Sequence, residues 1–236
     1  MKDDKSRRQF LRWMGLSSGA LLLTGLGCNG DGSGGSDTGT ENDAGTNDAG
    51  GVDSGSSDVG EVACEPTGSD ILGPFHEEGA PQRAVLADAE EPGERLVIEG
   101  TVYEEDCTTP IADALLDVWH ADINGDYHGG SEDEYRLRGQ VHTDEEGYYR
   151  LETIRPGHYP MDTAGELIRP AHIHFTITKP GFTPLTTQMY FQDDPHLAPD
   201  DPCATCNSGD PTLIVELSES DAEDGWHGTF DIVLES

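Results

Sequence analysis

The strongest constraint on this chain is its rhythm after residue 94. Apolar segments of strand length recur between clusters of turn-forming residues, and no long stretch repeats at the 3.6-residue period of a helix. The segments are RLVIEGTVYE (95–104), ALLDVWHAD (114–122), GYYRLETI (147–154), AHIHFTITK (171–179), LTTQMYF (185–191), LIVELSE (213–219) and GTFDIVLE (228–235). Turn signals separate them: Asn124-Gly125-Asp126, Asp144 to Gly147, Arg155-Pro156-Gly157 and Lys179-Pro180-Gly181. Strands punctuated in this way predict an all-β fold, a β-sandwich, over residues 64–236. That length supports one real core, and no internal repeat divides it.

The first 63 residues read differently. Five of the chain's 13 Lys and Arg (Lys2, Lys5, Arg7, Arg8 and Arg12) stand in the first twelve positions, ahead of an apolar run from Trp13 to Leu26. A basic front before a short, Gly- and Ser-interrupted apolar run is an export signal rather than a membrane span. Arg7-Arg8-Gln-Phe-Leu is similar to a twin-arginine signal, the kind read by a pathway that carries folded proteins. The run ends at Gly27-Cys28, which resembles a lipoprotein processing box, although Gly25 stands where a large aliphatic residue is usual. We therefore read 1–28 as an export signal with Cys28 as a candidate lipid anchor. The expected location is outside the cytoplasm: periplasmic, membrane-anchored or secreted. Residues 29–63 are nearly all Gly, Ser, Asp, Asn, Thr and Ala; such a segment buries too little apolar area to order itself and is expected to be a disordered acidic linker.

With 47 Asp and Glu against 13 Lys and Arg, the chain offers no basic face for phosphate, which argues against nucleic acid as a partner. Four cysteines follow the linker: Cys64, Cys107, Cys203 and Cys206. In an exported protein an even count favours disulfides, and three pairings are open. Cys64–Cys107 with Cys203–Cys206 is preferred. A four-thiolate zinc site and a redox role for CATC are the other readings, the last without the βαβ context it needs.

Chemistry concentrates at four residues where strands meet turns. His172 and His174 lie two apart in AHIHFTITK, so on a strand both imidazoles share a face. Tyr127 closes DINGDY, and Tyr159 lies in the Pro- and Gly-bounded IRPGHYPMD. Each alone has a bland explanation: a His-x-His on a strand is most often structural, and a tyrosine near a turn is usually packing. Together they form an O/N donor set. A phenol with a pKa near 10 binds as phenolate only to a strongly Lewis-acidic ion. Two phenolates cancel two of the three charges of Fe3+, which points to ferric iron rather than zinc.

The stretches LDVWHADINGDY (116–127), GQVHTDEEGYYRLETIRPGHYP (139–160), RPAHIHFTI (169–177) and LTTQMYF (185–191) resemble, in order and spacing, the intradiol ring-cleavage dioxygenases, the family of the catechol and protocatechuate 3,4-dioxygenases. The resemblance starts near Ile71-Leu72-Gly73-Pro74-Phe75 and runs to the carboxyl end. It implies a β-sandwich with non-haem Fe3+ held by Tyr127, Tyr159, His172 and His174. It implies a small aromatic diol and O2 as substrates, with cleavage between the hydroxylated carbons to a cis,cis-muconate-type diacid. Tyr159 matches the ligand that gives way and accepts substrate protons. Arg169 matches a group that stabilises negative charge on the ring, and Gln188 one that orients substrate or an oxygen intermediate. His120 and His142 match no ligand position and default to supporting or packing roles; His128 is expected at the pocket mouth, His196 on a loop and Trp119 in the core. No amino-terminal helical dimerisation segment of the catechol-dioxygenase kind is evident, and homo-oligomerisation stays open. The competing readings are a metal-free β-sandwich displayed as a binding module and a metal-binding domain without catalysis.

Overall fold

The computed structural model describes residues 64–129, 135–220 and 225–236. The expected export signal with Cys28 and the expected linker of 29–63 lie outside the described residues. Twelve strands follow in order: β1 (Arg95–Tyr103), β2 (Leu115–His120), β3 (Arg138–His142), β4 (Tyr148–Ile154), β5 (Tyr159–Pro160), β6 (Ile168–Arg169), β7 (His172–Thr178), β8 (Leu185–Phe191), β9 (Ile214–Val215), β10 (Leu217–Ser220), β11 (Gly225–Thr229) and β12 (Ile232–Val233). A 3-10 turn at Pro211–Leu213 is the one helical element among the described residues.

Two five-stranded sheets form the sandwich. In the first, β1 is central, with β4 antiparallel on one side and β11, then β12, parallel on the other; β10 flanks β11. The second runs β3-β2-β7-β8-β9. Alternation decides what meets between them. Leu116 and Val118 of β2, Ile173, Phe175 and Ile177 of β7 and Met189 of β8 pack against Ile98 and Val102 of β1 and Tyr149 and Leu151 of β4. His120 shares this inward parity; its Nε2 lies 2.6 Å from Thr153 Oγ1 of β4, so one hydrogen bond bridges the two sheets.

The expected strands are found, with four differences, one being the short antiparallel pair β5 and β6, where a Pro- and Gly-bounded loop was expected around Tyr159. The expected strand at 213–219 divides into β9 and β10, and that at 228–235 divides into β11 and β12. The break between β11 and β12 has a cause in β1: both pair with that one strand, and the chain jogs at Phe230-Asp231, where the Asp231 carboxylate accepts the Thr101 N–H at 2.8 Å. β3, at the edge of its sheet, was not expected as a strand because RGQVH is short and mostly polar. The preferred disulfide pairing, Cys64–Cys107 with Cys203–Cys206, is the one present. That leaves no cysteine among the described residues for a thiolate zinc site.

Candidate active site

The side chains of β7 that do not enter the core point to the other face of its sheet, where register builds a site. His174 stands opposite Trp119 of β2 and Gln188 of β8, and His172 stands opposite Tyr190 of β8. All five are buried. The Trp119 indole stacks on the His174 ring, with centroids 4.8 Å apart and planes 6° from parallel, which fixes the imidazole's plane. This face is dry because the segment from Thr67 to Phe75 crosses it. Thr187 Oγ1 donates to Gly68 O at 2.7 Å, and Gln188 Nε2 donates to Ile71 O at 2.7 Å.

Two loops deliver the tyrosines. After β2, the Asp122 carboxylate accepts the N–H groups of Asn124 (2.8 Å) and Asp126 (3.1 Å), closing the turn that aims Tyr127. Gly125, at φ +78°, lets this turn press on the loop before β5. A Cβ there would sit 2.0 Å from His158 O, so no other residue fits without moving one loop. Asp122 O also accepts the Gly157 N–H at 2.9 Å. The two tyrosine-bearing loops are thereby fastened together, and the rings of Tyr127 and Tyr159 meet edge to face at 5.8 Å. Phe75 stacks on the Tyr127 ring at 4.3 Å. β5 pairs with β6 so that Tyr159 stands opposite Arg169.

The polar atoms converge. Tyr127 Oη lies 3.0 Å from His172 Nε2 and 3.0 Å from His174 Nε2. His172 Nδ1 donates to Pro170 O at 2.7 Å, which places its proton there and leaves Nε2 as a lone pair facing the site. His174 Nδ1 is buried without a partner, as is Trp119 Nε1. Burial drives both site imidazoles well below their ordinary pKa, and the Arg169 charge pushes the same way, so both are neutral, the form that ligates. Burial likewise raises the Tyr127 phenol, against an opposing pull from Arg169.

These residues fit a ferric ion. Tyr127 Oη has the Nε2 atoms of both imidazoles 3.0 Å away, an O/N donor set of the kind a highly charged cation takes. A highly charged cation would also reverse the cost of ionising a buried phenol. Among the described residues no group of three or more His, Cys, Asp or Glu side chains could hold a metal, so a metal at this site would depend on the tyrosines.

Arg169 is buried beside the cluster. It pairs with Asp201 at 3.3 Å and donates to Tyr190 Oη at 2.9 Å. Burial alone would lower its pKa, but the Tyr190 and Asp201 oxygens outweigh it and hold the guanidinium firmly charged. A cavity of about 30 Å³ opens among Tyr127, Tyr159, Arg169, His172 and His174, walled by Ile71 to Phe75 on one side and by Cys203 and Thr205 on the other. Gln188 is not among its lining residues, because its Nε2 is turned to Ile71 O and its Oε1 lies 2.9 Å from Tyr190 Oη. His128 bonds Asp122 at 2.9 Å and does not line the cavity, His142 bonds Asp113 at 2.8 Å, and His196 packs on His158. Sequence reasoning missed Tyr190, Asp70 and Asp201. Tyr190 lay within a quoted stretch, but one carboxylate among 47 carries no local signal.

Comparison with known proteins agrees with this architecture. A family profile described as Dioxygenase (Dioxygenase_C) matches residues 71–236. A chlorocatechol 1,2-dioxygenase of Rhodococcus opacus is 38% identical over 177 residues, which is 66% of this chain and 67% of that protein. A protocatechuate 3,4-dioxygenase beta chain of Burkholderia cepacia is 36% identical over 179 residues, covering 71% of this chain and 74% of that one. The chain spans 56% and 50% of the length of two further relatives. Among solved structures, the dioxygenase domain of a dioxygenase carbohydrate-binding protein fusion from Streptomyces sp. SirexAA-E matches with a TM-score of 0.62 at 34% identity, over 72% of this chain and 99% of that one. With the sandwich, the two-tyrosine, two-histidine cluster and these matches together, the chain belongs to the intradiol ring-cleavage dioxygenases, a family of oxidoreductases.

Proposed function

We propose that this protein cleaves a catechol-type ring between its two hydroxylated carbons with O2, yielding a cis,cis-muconate-type diacid, and that it does so with non-haem Fe3+. The observation that carries this is the convergence of Tyr127 Oη, His172 Nε2 and His174 Nε2 within 3.0 Å, beside Tyr159 and a buried Arg169. Tyr127, Tyr159, His172 and His174 would hold the ion. When bound, ferric iron supplies a Lewis-acidic, one-electron-accepting centre that activates an aromatic diolate toward O2.

The chain's own residues do the rest. Tyr159, on the two-residue strand β5 at the cavity edge, is the phenolate placed to take a proton from an incoming diol. On taking that proton Tyr159 becomes a neutral phenol, and the diolate monoanion so formed carries the negative charge in its place. Arg169 sets a fixed positive charge in a water-poor site, where it stabilises anionic substrate more strongly than it would in water. The cavity is far smaller than the roughly 150 Å³ that suffices for a benzene ring, so ring entry requires Tyr159 or the Ile71–Phe75 wall to move. Two disulfides suit an oxidising compartment, which supports the reading of residues 1–28 as an export signal.

The test is iron content, visible absorption and product identification together. Protein from iron-replete cells should contain iron and show a phenolate-to-iron absorption band. It should convert a member of the panel catechol, protocatechuate and hydroxyquinol to the ring-opened diacid under O2. Tyr127→Phe and His172→Ala should lose the band and the activity. Iron-free, colourless wild-type protein, or a product opened outside the diol carbons, overturns the proposal.

A further inference from the structure

The wall of the cavity opposite Ile71–Phe75 is a loop closed on itself by a disulfide, and it is bonded at both ends to the groups that hold Arg169. The Asp201 carboxylate lies 3.3 Å from Arg169 Nη2 and 3.3 Å from its Nε, and it also accepts the Cys203 N–H at 2.9 Å. Cys203 is joined to Cys206, whose N–H donates to Cys203 O at 3.2 Å. The next residue, Asn207, donates its N–H to Asp70 Oδ2 at 2.9 Å. Asp70 Oδ2 accepts from Tyr190 Oη at 2.7 Å, and Tyr190 Oη accepts from Arg169 Nη2 at 2.9 Å. The contacts therefore form a ring that leaves the guanidinium through Asp201 and returns to it through Tyr190. The two halves are joined by the backbone of the turn from Cys203 to Cys206, and the disulfide between those residues closes that turn. The Arg169 and Asp201 side chains are both buried, at 5% and 3% exposure, so neither is held by solvent.

We propose that the loop from Asp201 to Asn207 is the device that positions Arg169, with Asp201 as the positioning residue and the Cys203–Cys206 disulfide as the clamp that keeps Asp201 and Asp70 at a fixed separation. This rests on the reading of the cavity as a diol site. Geometry explains why a clamp is needed. A guanidinium on a flexible stem has many rotamers, and only those that keep it beside the tyrosine and histidine cluster place its charge where substrate charge gathers. Asp201 sets the direction of the fork, and Tyr190 sets its second edge. Asp70 is bonded to β8 through its own N–H on Thr186 O at 2.9 Å, so Asp201 is the anchor whose place depends on the loop.

The clamp is also open to chemistry. Cys206 is half-buried and Cys203 buried, so an external dithiol attacks through the Cys206 sulfur. Two electrons and two protons pass from the dithiol to the bridge; the S–S bond breaks, Cys203 and Cys206 become thiols, and the reagent becomes a disulfide.

The test uses the full-length, iron-loaded protein under anaerobic conditions, with catechol as the probe and its dissociation constant read from the absorption change on binding. Cys203→Ser/Cys206→Ser and Asp201→Asn should each keep the iron content and the phenolate-to-iron band of the free protein, yet bind catechol about tenfold more weakly. In an Arg169→Gln background the same changes should add little, because the group they position is gone. Wild-type affinity in the double serine variant, or a full tenfold loss added on top of Arg169→Gln, overturns the proposal. Should the double serine variant fail to fold, Asp201→Asn carries the test alone. If wild-type protein holds no iron and binds no catechol, it is the functional reading of the site that fails.

Discussion

His120 gives the clearest quantitative handle on this fold. It is 1% exposed and lies between the sheets, donating through Nδ1 to Ala121 O at 2.7 Å, with Nε2 on Thr153 Oγ1. Burial drives its pKa down from 6.5 to about 4. In the unfolded chain the imidazole titrates near 6.5. Above that pH both states are neutral and His120 contributes no pH dependence. As pH falls below 6.5 the unfolded state takes up a proton that the folded state refuses, so stability drops until the folded pKa is reached and then levels off. Across about 2.5 pH units, at about 1.4 kcal/mol each, the loss is about 3 kcal/mol, a large part of the roughly 5–15 kcal/mol that holds a domain. His120→Gln, neutral at every pH, removes this term. Urea unfolding of both proteins at pH 7 and pH 4 should show the wild type losing about 3 kcal/mol more than the variant over that interval. Equal losses would refute the premise that this imidazole is held neutral between the sheets.

Two further substitutions probe the covering of the site. Gly73, at φ +72°, lies against the His174 ring, and a Cβ there would come 3.2 Å from His174 Cε1. Gly73→Ala should cost about 1–2 kcal/mol from the left-handed backbone alone and, by nudging the imidazole, lower the iron bound per chain; unchanged iron content and melting temperature would show that the segment yields freely. Gln188→Leu should leave Ile71 O without its donor and destabilise by about 1–3 kcal/mol, read as a drop of about 2–12 °C in melting temperature, while the iron band persists. An unshifted melting temperature with a collapse in kcat alone would instead place this amide on the reacting groups.

Much of the site was legible because a strand has a period of two. That period puts His172 and His174 on one face whatever the fold, and the turn residues around Tyr127 mark it as loop-borne, whereas Tyr159, expected in a loop, falls on the short strand β5. The period does not say which face looks outward. In β7 the two histidines alternate with Ile173 and Phe175, and the choice falls to the sheet as a whole: β2, β7 and β8 in register give one face that is mostly apolar, with His120 and Thr187 as its polar members, and the site histidines take the other. That face becomes a water-poor site only because residues 67–75 and 201–206 cover it, and both are tertiary placements with no periodic signal. Tyr190, Asp70 and Asp201 were invisible for the same reason. Each is ordinary in its own stretch: Tyr190 and Asp201 matter by meeting Arg169 from 21 and 32 residues away, and Asp70 by bonding Tyr190 from 120 residues away. The candidate ligand atoms are thus written locally, two by two, in strand and turn patterns. The Arg169 cation beside them is set by long-range closure, so its position should respond to changes in the surrounding loops far more readily than theirs does.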